Sequence, residues 1–450
     1  MPINTLNTWK EESKPFKLCY LFEALISTQY IMAAFLLFVF IFASQVIGGF
    51  NTKLPPPAYG STITILNIDG GGIKGILPTV VLEHLEKALQ NVTKDENAAL
   101  ADYFDVISGA STGGLIAAML AAPHPNDPSR PALYTPEILK FYLDFGPSIF
   151  NQTSARWWFN LSERPKYDGK FLHDKAREIL QETRLHDTLT NVVIPTYDIK
   201  KVKPVVFSSF KVEKVPDLDA KLSDIAIGTS AAPTLLPPYG FKNGDIEFNL
   251  VDGALVASSP ALLAVSEVIK LLEEKNSDFI SVNENQPTKI LLLSLGCGRD
   301  GEDKGVNATY ATSFRALIEW PQLILPAIAG AVGDINEYHL ESIFPSHRSS
   351  DNYYLRIEEY NLDPSIGGDD TTKENLDKLV KAGDDLLEET VKVMDVTSFV
   401  PYEKPTEGTN AQALERLAET LYKEKQLRLK TKSMEKMGRP FVEAVVSGMK

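Results

Sequence analysis

The run Thr62-Ile63-Thr64-Ile65-Leu66-Asn67-Ile68 is mostly β-branched or apolar and stops on Asp69-Gly70-Gly71-Gly72-Ile73-Lys74-Gly75. Such a segment reads as a strand buried in a sheet. A helix should follow from about Leu77, because Pro78 suits a first turn and Val81, Leu82 and Leu85 fall at helical spacing. The unit then recurs: a strand over Tyr103 to Ser108 leads into Gly109-Ala110-Ser111-Thr112-Gly113 and a helix through Leu115 to Leu120. Further strand-like runs are Val192-Val193-Ile194, Pro204-Val205-Val206-Phe207 and Lys289 to Leu295, with helical patterns between them, including Ala261 to Leu272. This alternation predicts an α/β fold with a largely parallel sheet covered on both faces.

What precedes and follows that body is of different character. No residue from Ala24 to Phe50 is charged; Lys10, Lys14 and Lys17 precede the run and Ala43, Ser44, Gly48 and Gly49 close it, as in a signal peptide with a long n-region. The run is also long enough for an uncleaved membrane anchor, whose orientation Glu11, Glu12 and Glu23 leave weakly specified. Residues 1–50 are therefore expected to be a signal or anchor leading into the secretory pathway (vacuole or exterior, or membrane-anchored through residues 24–50). Residues 51–61 form a Pro-rich linker, 62–270 the core with the glycine turns, 271–360 the remaining strands and helices, and 361–450 a helical C-terminal part docked on the core. Asn361 to Asp370 reads as a polar loop before it. One face of the C-terminal part carries Leu376, Leu379, Val380 and Leu387, and another Leu414, Leu417, Ala418 and Leu421. The basic stretch Lys423 to Lys450 is expected to be a solvated helix face, Pro123 to Pro136 a surface excursion, and Trp157, Trp158 and Phe159 to pack inward.

A net charge of −14 argues against a nucleic-acid partner and against attraction to anionic membranes, so any lipid contact should be apolar. Sequons at Asn91, Asn151, Asn160 and Asn307 fit secretion. Of the two cysteines, Cys19 lies ahead of the apolar run, so a mature chain would hold only Cys297 and no internal disulfide.

Gly109-Ala110-Ser111-Thr112-Gly113 has the form of a nucleophile elbow, in which a serine on a sharp strand-to-helix turn projects its hydroxyl while flanking glycines let two backbones cross. The turn at Asp69 to Gly75 offers consecutive backbone N–H groups to an anion. A phosphate-binding Walker loop fails there, because Ile76 and Leu77 follow Gly75 where Lys-Ser/Thr is needed. Gly70, Gly72 and Gly75 match a dinucleotide spacing, but no clear ribose-binding acid follows. Beside a serine elbow these amides serve better as an oxyanion hole. The base has two readings. His339 and His347 lie late enough for a Ser-His-Asp esterase, although neither sits in a motif. Asp252, in Leu250-Val251-Asp252-Gly253-Ala254, could instead act on the serine directly if burial or position makes it basic enough.

The ordered set Asp-Gly-Gly-Gly-Ile-Lys-Gly, Gly-Ala-Ser-Thr-Gly and Asp-Gly-Ala resembles the plant patatins and patatin-like phospholipases. Similarity extends to Pro165-Lys166-Tyr167-Asp168-Gly169-Lys170-Phe171-Leu172-His173, to Gly228-Thr229-Ser230-Ala231-Ala232-Pro233 and to Leu293-Ser294-Leu295-Gly296, covering roughly Thr62 to Tyr422. The resemblance implies a three-layer αβα fold with a mainly parallel sheet and C-terminal helices. It implies a Ser-Asp dyad without histidine, hydrolysis of phospholipids and galactolipids at a membrane or micelle surface, no cofactor or metal, and in some members a storage role. Carried onto this chain it makes Ser111 the nucleophile and Asp252 the base, Gly70, Gly71 and Gly72 the oxyanion amides, and Gly75, Gly109, Gly113 and Gly253 supports of the turns. Ser258-Ser259-Pro260 departs from the Asn-Asn-Pro of many relatives, and Cys297 replaces a common threonine and reads as packing.

Overall fold

The computed structural model describes residues 54–151, 165–282, 288–299, 314–344 and 353–437, all within one compact unit, Asn51–Lys450. The apolar run 24–50, Cys19, the Trp157-Trp158-Phe159 cluster, Asn160, Asn307, His347 and the basic residues beyond 437 lie outside the described residues. Asn91 and Asn151 are exposed. No helix of the described residues is long and apolar enough to cross a membrane.

The central sheet is built from β1 (Thr62–Ile68), β2 (Val106–Gly109), β5 (Asn191–Asp198), β6 (Lys203–Ser208), β7 (Tyr239–Asn243), β8 (Ile246–Val251), β9 (Lys289–Leu295) and β10 (Tyr353–Ile357). A small hairpin of β3 (Pro123–His124) and β4 (Asp127–Pro131) lies apart from it, within the expected surface excursion. The order is β10-β9-β1-β2-β5-β8-β7, with β6 also paired to β5. From β10 to β5 every pair is parallel. The strands β6, β7 and β8 add an antiparallel edge, because the chain reverses there through short turns at 199–202 and 244–245, too short for a parallel crossover.

Both faces of the sheet are covered, and the period-2 alternation of β1 shows how. Leu66 and Ile68 enter a core shared with the helices α1 (Ile76–Thr93), α2 (Thr112–Ala121) and α3 (Thr135–Ile149), while Ile63 and Ile65 enter a second core on the opposite face. Helix α4 (Lys170–Leu180) and α5 (Leu222–Thr229) join the first core; α6 (Ala254–Ala257) precedes α7 (Ala261–Glu273) and α8 (Phe314–Ile343), which supply Ala264, Val268 and Leu340 to the second, joined by Phe344 just after α8. The C-terminal helices α9 (Lys373–Glu388) and α10 (Asn410–Lys436), separated by the hairpin of β11 (Lys392–Met394) and β12 (Pro401–Glu403), pack on α1 through the expected leucines.

Two local expectations are corrected. The second strand starts at Val106 rather than Tyr103, because Leu100–Asp102 forms a 3-10 turn and the Asp105 carboxylate accepts from the Thr64 amide at 2.8 Å and from Arg428. The described part of the basic C-terminal stretch is only partly a solvated face: Lys423 and Lys436 are exposed, but Lys425 and Arg428 are buried. Arg428 is fully buried, with ion pairs to Asp105 at 2.6 Å and Glu424 at 2.9 Å. Its Nη1 also donates to the Pro55 carbonyl at 3.0 Å. Lys425 lies 4.4 Å over the Tyr103 ring. These charges continue, at helical spacing, the very stripe that Leu414, Leu417, Ala418 and Leu421 begin, so the buried face extends into residues that composition alone assigns to solvent.

Candidate active site

Ser111 sits between β2 and α2 with φ 53° and ψ −128°, a conformation that L-residues rarely adopt and that turns its side chain out of the crossing. The crossing itself requires glycine: a Cβ on Gly113 would collide with the Ile68 carbonyl oxygen, and one on Gly109 with the Gly113 carbonyl. With its backbone so held, Ser111 Oγ donates to Asp252 Oδ2 at 2.6 Å. Asp252 follows β8 directly, and its other oxygen accepts from the Ala254 amide at 2.7 Å. Both side chains are buried. Burial pushes the Asp252 carboxyl up to about 6, against the opposing pull of the bonds from Ser111 and Ala254.

A bracket that motif reading passes over ties the two residues together. At the end of α5, Thr229 Oγ1 accepts from the Ser111 amide at 3.1 Å and donates to the Pro195 carbonyl at 2.8 Å, while the Thr229 carbonyl accepts from the Gly253 amide at 3.0 Å. Ser230 Oγ donates to the Ser111 carbonyl at 3.2 Å, and the Ala231 carbonyl takes the Asp252 amide at 3.0 Å. A Cβ on Gly253 would meet the Pro195 carbonyl. The signal available in the sequence was the Gly228-Thr229-Ser230-Ala231 string, whose small polar residues give no hint of their partners.

The glycine-rich turn lies beside Ser111, but its three amides are not equivalent. Gly70 N–H donates to the Ser258 carbonyl at 3.2 Å, so this amide is already engaged. Gly71 and Gly72 line the same cavity as Ser111. The Gly71 N–H likewise donates to Thr112 Oγ1 at 3.2 Å, whereas the Gly72 amide has no acceptor among the described residues. Of the three expected oxyanion amides, Gly70 is thus held by a backbone carbonyl and Gly71 by a hydroxyl, while Gly72 has no partner among the described residues. Ser258 and Ser259 brace this turn: besides the Gly70 contact, Ser259 Oγ lies 3.2 Å from Asn67 Nδ2.

Beneath the turn is a buried charge network. Asp69 pairs with Arg356 at 2.7 Å, and Arg356 also pairs with Glu358 at 2.6 Å. Asn67 Nδ2 donates to the other Asp69 oxygen at 2.9 Å. Cys297 is buried, its Sγ 3.1 Å from the Asp69 carbonyl oxygen, and burial pushes its thiol up. That environment disfavours the thiolate and fits a packing role. Gly75 sits against the Tyr142 ring.

A cavity of about 250 Å³ opens at Ser111. Its walls are chiefly apolar, with Leu115, Phe141, Ile149, Phe150, Leu172 and Leu235 among them. Among the described residues no histidine lines it. His339 is exposed on α8, with its ring edge-on to Tyr338. It is the aspartate, then, that meets the serine. Among the described residues no group of His, Cys, Asp or Glu is arranged to hold a metal ion.

Residues 66–265 match the family model described as patatin-like phospholipase. The chain is 44% identical over 394 residues to patatin-like protein 2 of Arabidopsis thaliana, covering 84% of this chain and 95% of that protein. It is 41% identical to patatin-like protein 4 of the same plant, over 84% of this chain and 96% of the relative. With patatin-13 of Solanum tuberosum the identity is 40%, over 82% and 92% of the two chains.

Proposed function

The chain belongs to the patatin-like phospholipase family, and on that premise we propose that it is a lipid acyl hydrolase working through a Ser111–Asp252 dyad. The observation that carries the reading is the 2.6 Å bond from Ser111 Oγ to a buried carboxylate oxygen, made at the mouth of an apolar cavity. A carboxylate of ordinary pKa is a weak base for a serine hydroxyl; one raised to about 6 is stronger and still mostly ionised at neutral pH.

In the proposed reaction an acyl chain enters the cavity and places its ester carbonyl over Ser111. Asp252 Oδ2 takes the hydroxyl proton as Ser111 Oγ bonds to the carbonyl carbon, and the developing oxyanion is met by the Gly72 amide and by the Gly71 amide, which exchanges its Thr112 Oγ1 partner for it, with the positive end of α2 close by. The ester C–O bond then breaks, and the proton passes from Asp252 to the departing alcohol, leaving acyl-Ser111. Water enters, gives its proton to Asp252 and attacks the acyl carbon; collapse returns a proton to Ser111 and frees the fatty acid.

Ser111→Ala and, separately, Asp252→Asn are expected to reduce fatty-acid release from diacyl phospholipid or galactolipid by at least about 10²-fold, the lower range for losing a positioned base. Retention of wild-type turnover in either folded variant would refute the dyad. The secretory destination expected of residues 1–50 stays part of this proposal, tested by N-terminal sequencing of the protein recovered from its natural source.

A further inference from the structure

Among the described residues that line the cavity, Asp369 is the one with a formal charge. It comes from the polar loop between β10 and α9, far along the chain from the catalytic motifs. Its carboxylate is used unevenly: Lys166 Nζ at 2.7 Å and the Tyr167 hydroxyl at 2.9 Å both donate to Oδ2, while Oδ1 receives no donor from the described residues. The carboxylate is also held in place. Lys166 and Tyr167 are anchored by their amides to the Thr234 and Leu235 carbonyls at 2.9 and 2.8 Å. The Tyr167 ring stands edge-on to Phe150 in the cavity wall, 5.3 Å between centroids. On the other side, the neighbouring Gly368 carbonyl accepts from the Ile73 amide at 2.9 Å, tying the loop to the glycine turn.

We propose that Asp369 is a specificity-determining residue that reads the polar head of the lipid, favouring an uncharged hydroxylated head group over an anionic phosphate. The inference rests on the acyl-hydrolase reading and deepens it. An ionised carboxylate accepts hydrogen bonds and donates none. A sugar hydroxyl can donate to the open Oδ1 without disturbing the Lys166 and Tyr167 bonds. A phosphate monoester brings acceptors and negative charge against that same oxygen, and Lys166, the cation that pairs with this carboxylate among the described residues, is already engaged by Oδ2. Juxtaposing like charges is how binding sites exclude wrong partners.

The test is a competition in one vessel. The full chain is given mixed neutral-detergent micelles holding equal amounts of a galactosyl diacylglycerol and a phosphatidic acid with the same acyl chains, labelled with different isotopes. The ratio of the two kcat/KM values is read from the released fatty acids. Both lipids share one surface, so attraction or repulsion of the whole protein cancels, as does any general loss of catalytic power. The wild type should favour the glycolipid. Asp369→Asn should lower that preference about tenfold, and Lys166→Met, which leaves the carboxylate without its cation, should raise it. A purely structural role would lower both rates together and leave the ratio unmoved. The proposal is overturned if the ratio stays within about twofold of wild type in the folded variants, or if both variants shift it the same way, while the acyl-hydrolase reading survives those results. Absence of fatty-acid release from either lipid by the wild type would overturn both.

Discussion

Asp252→Asn should make this protein more stable while disabling it, and the gain should depend on pH in a defined way. Asp252 is buried and its carboxyl stands at about 6 instead of an ordinary 3.8, burial being the chief cause. In the unfolded chain the group releases its proton near 3.8, whereas the folded chain retains it up to about 6. Between those values the native state binds more protons than the unfolded state, so this group lowers stability as pH rises. The cost is absent below about pH 4 and complete above about pH 7, where a rise of this size corresponds to about 3 kcal/mol. Asparagine has nearly the same shape and no charge to desolvate, and so resembles the protonated aspartate at every pH. Urea unfolding of both proteins at steps between about pH 4 and pH 8 should show equal stability at the acid end and an advantage for the asparagine variant that grows to about 3 kcal/mol. An advantage independent of pH, or a variant less stable than wild type near pH 8, would refute the claim that the carboxylate is held ionised at a cost.

Two further outcomes follow from the same geometry. The kcat/KM for a soluble ester should rise with pH and level off with an apparent pKa near 6, since Asp252 must be ionised to accept the Ser111 proton; finding the same ascending limb in Asp252→Asn, on whatever turnover remains, would assign it to another group. Arg428→Met should destabilise the chain by about 3–5 kcal/mol in urea unfolding, because Asp105 and Glu424 would be left as buried carboxylates without their cation; a loss below about 1 kcal/mol would mean that the pair is effectively solvated.

How much of this was legible in the chain depended on whether the signal lay within one segment. β9 begins and ends at Lys289 and Leu295 as its apolar pattern indicates, and α7 runs from Ala261 to within a residue of the expected end. The serine turn and the Asp-Gly turn could be read because each carries its own glycine requirement. The features that escaped are made by residues distant in sequence. Thr229 joins Ser111 to Gly253 through three ordinary-looking contacts. Asp369 belongs to a stretch that composition marks only as a polar loop, yet it forms part of the cavity wall. Arg428 shows the same limit in energetic form, because hydropathy places arginine in water, and only the co-location of Asp105, Glu424 and the Pro55 carbonyl makes its burial tolerable.

The direct contact between serine and carboxylate also accounts for where the antiparallel strands lie. A base that touches the nucleophile without an intervening imidazole must be brought within hydrogen-bond distance by its backbone, since an aspartate side chain has little reach of its own. The parallel strands β1 and β2 deliver the glycine turn and Ser111 at their C-terminal ends, where α/β sheets place their sites. Strand β8 runs antiparallel to its neighbour β5 and ends at Val251, beside Tyr197, so that Asp252 leaves it next to the turn that α5 closes. From there the Thr229 to Ala231 backbone fixes its amide, and burial raises its pKa. On the proposed mechanism, the reversal of the chain at that edge and the basicity of the aspartate are thus linked: the first makes the second both reachable and dry.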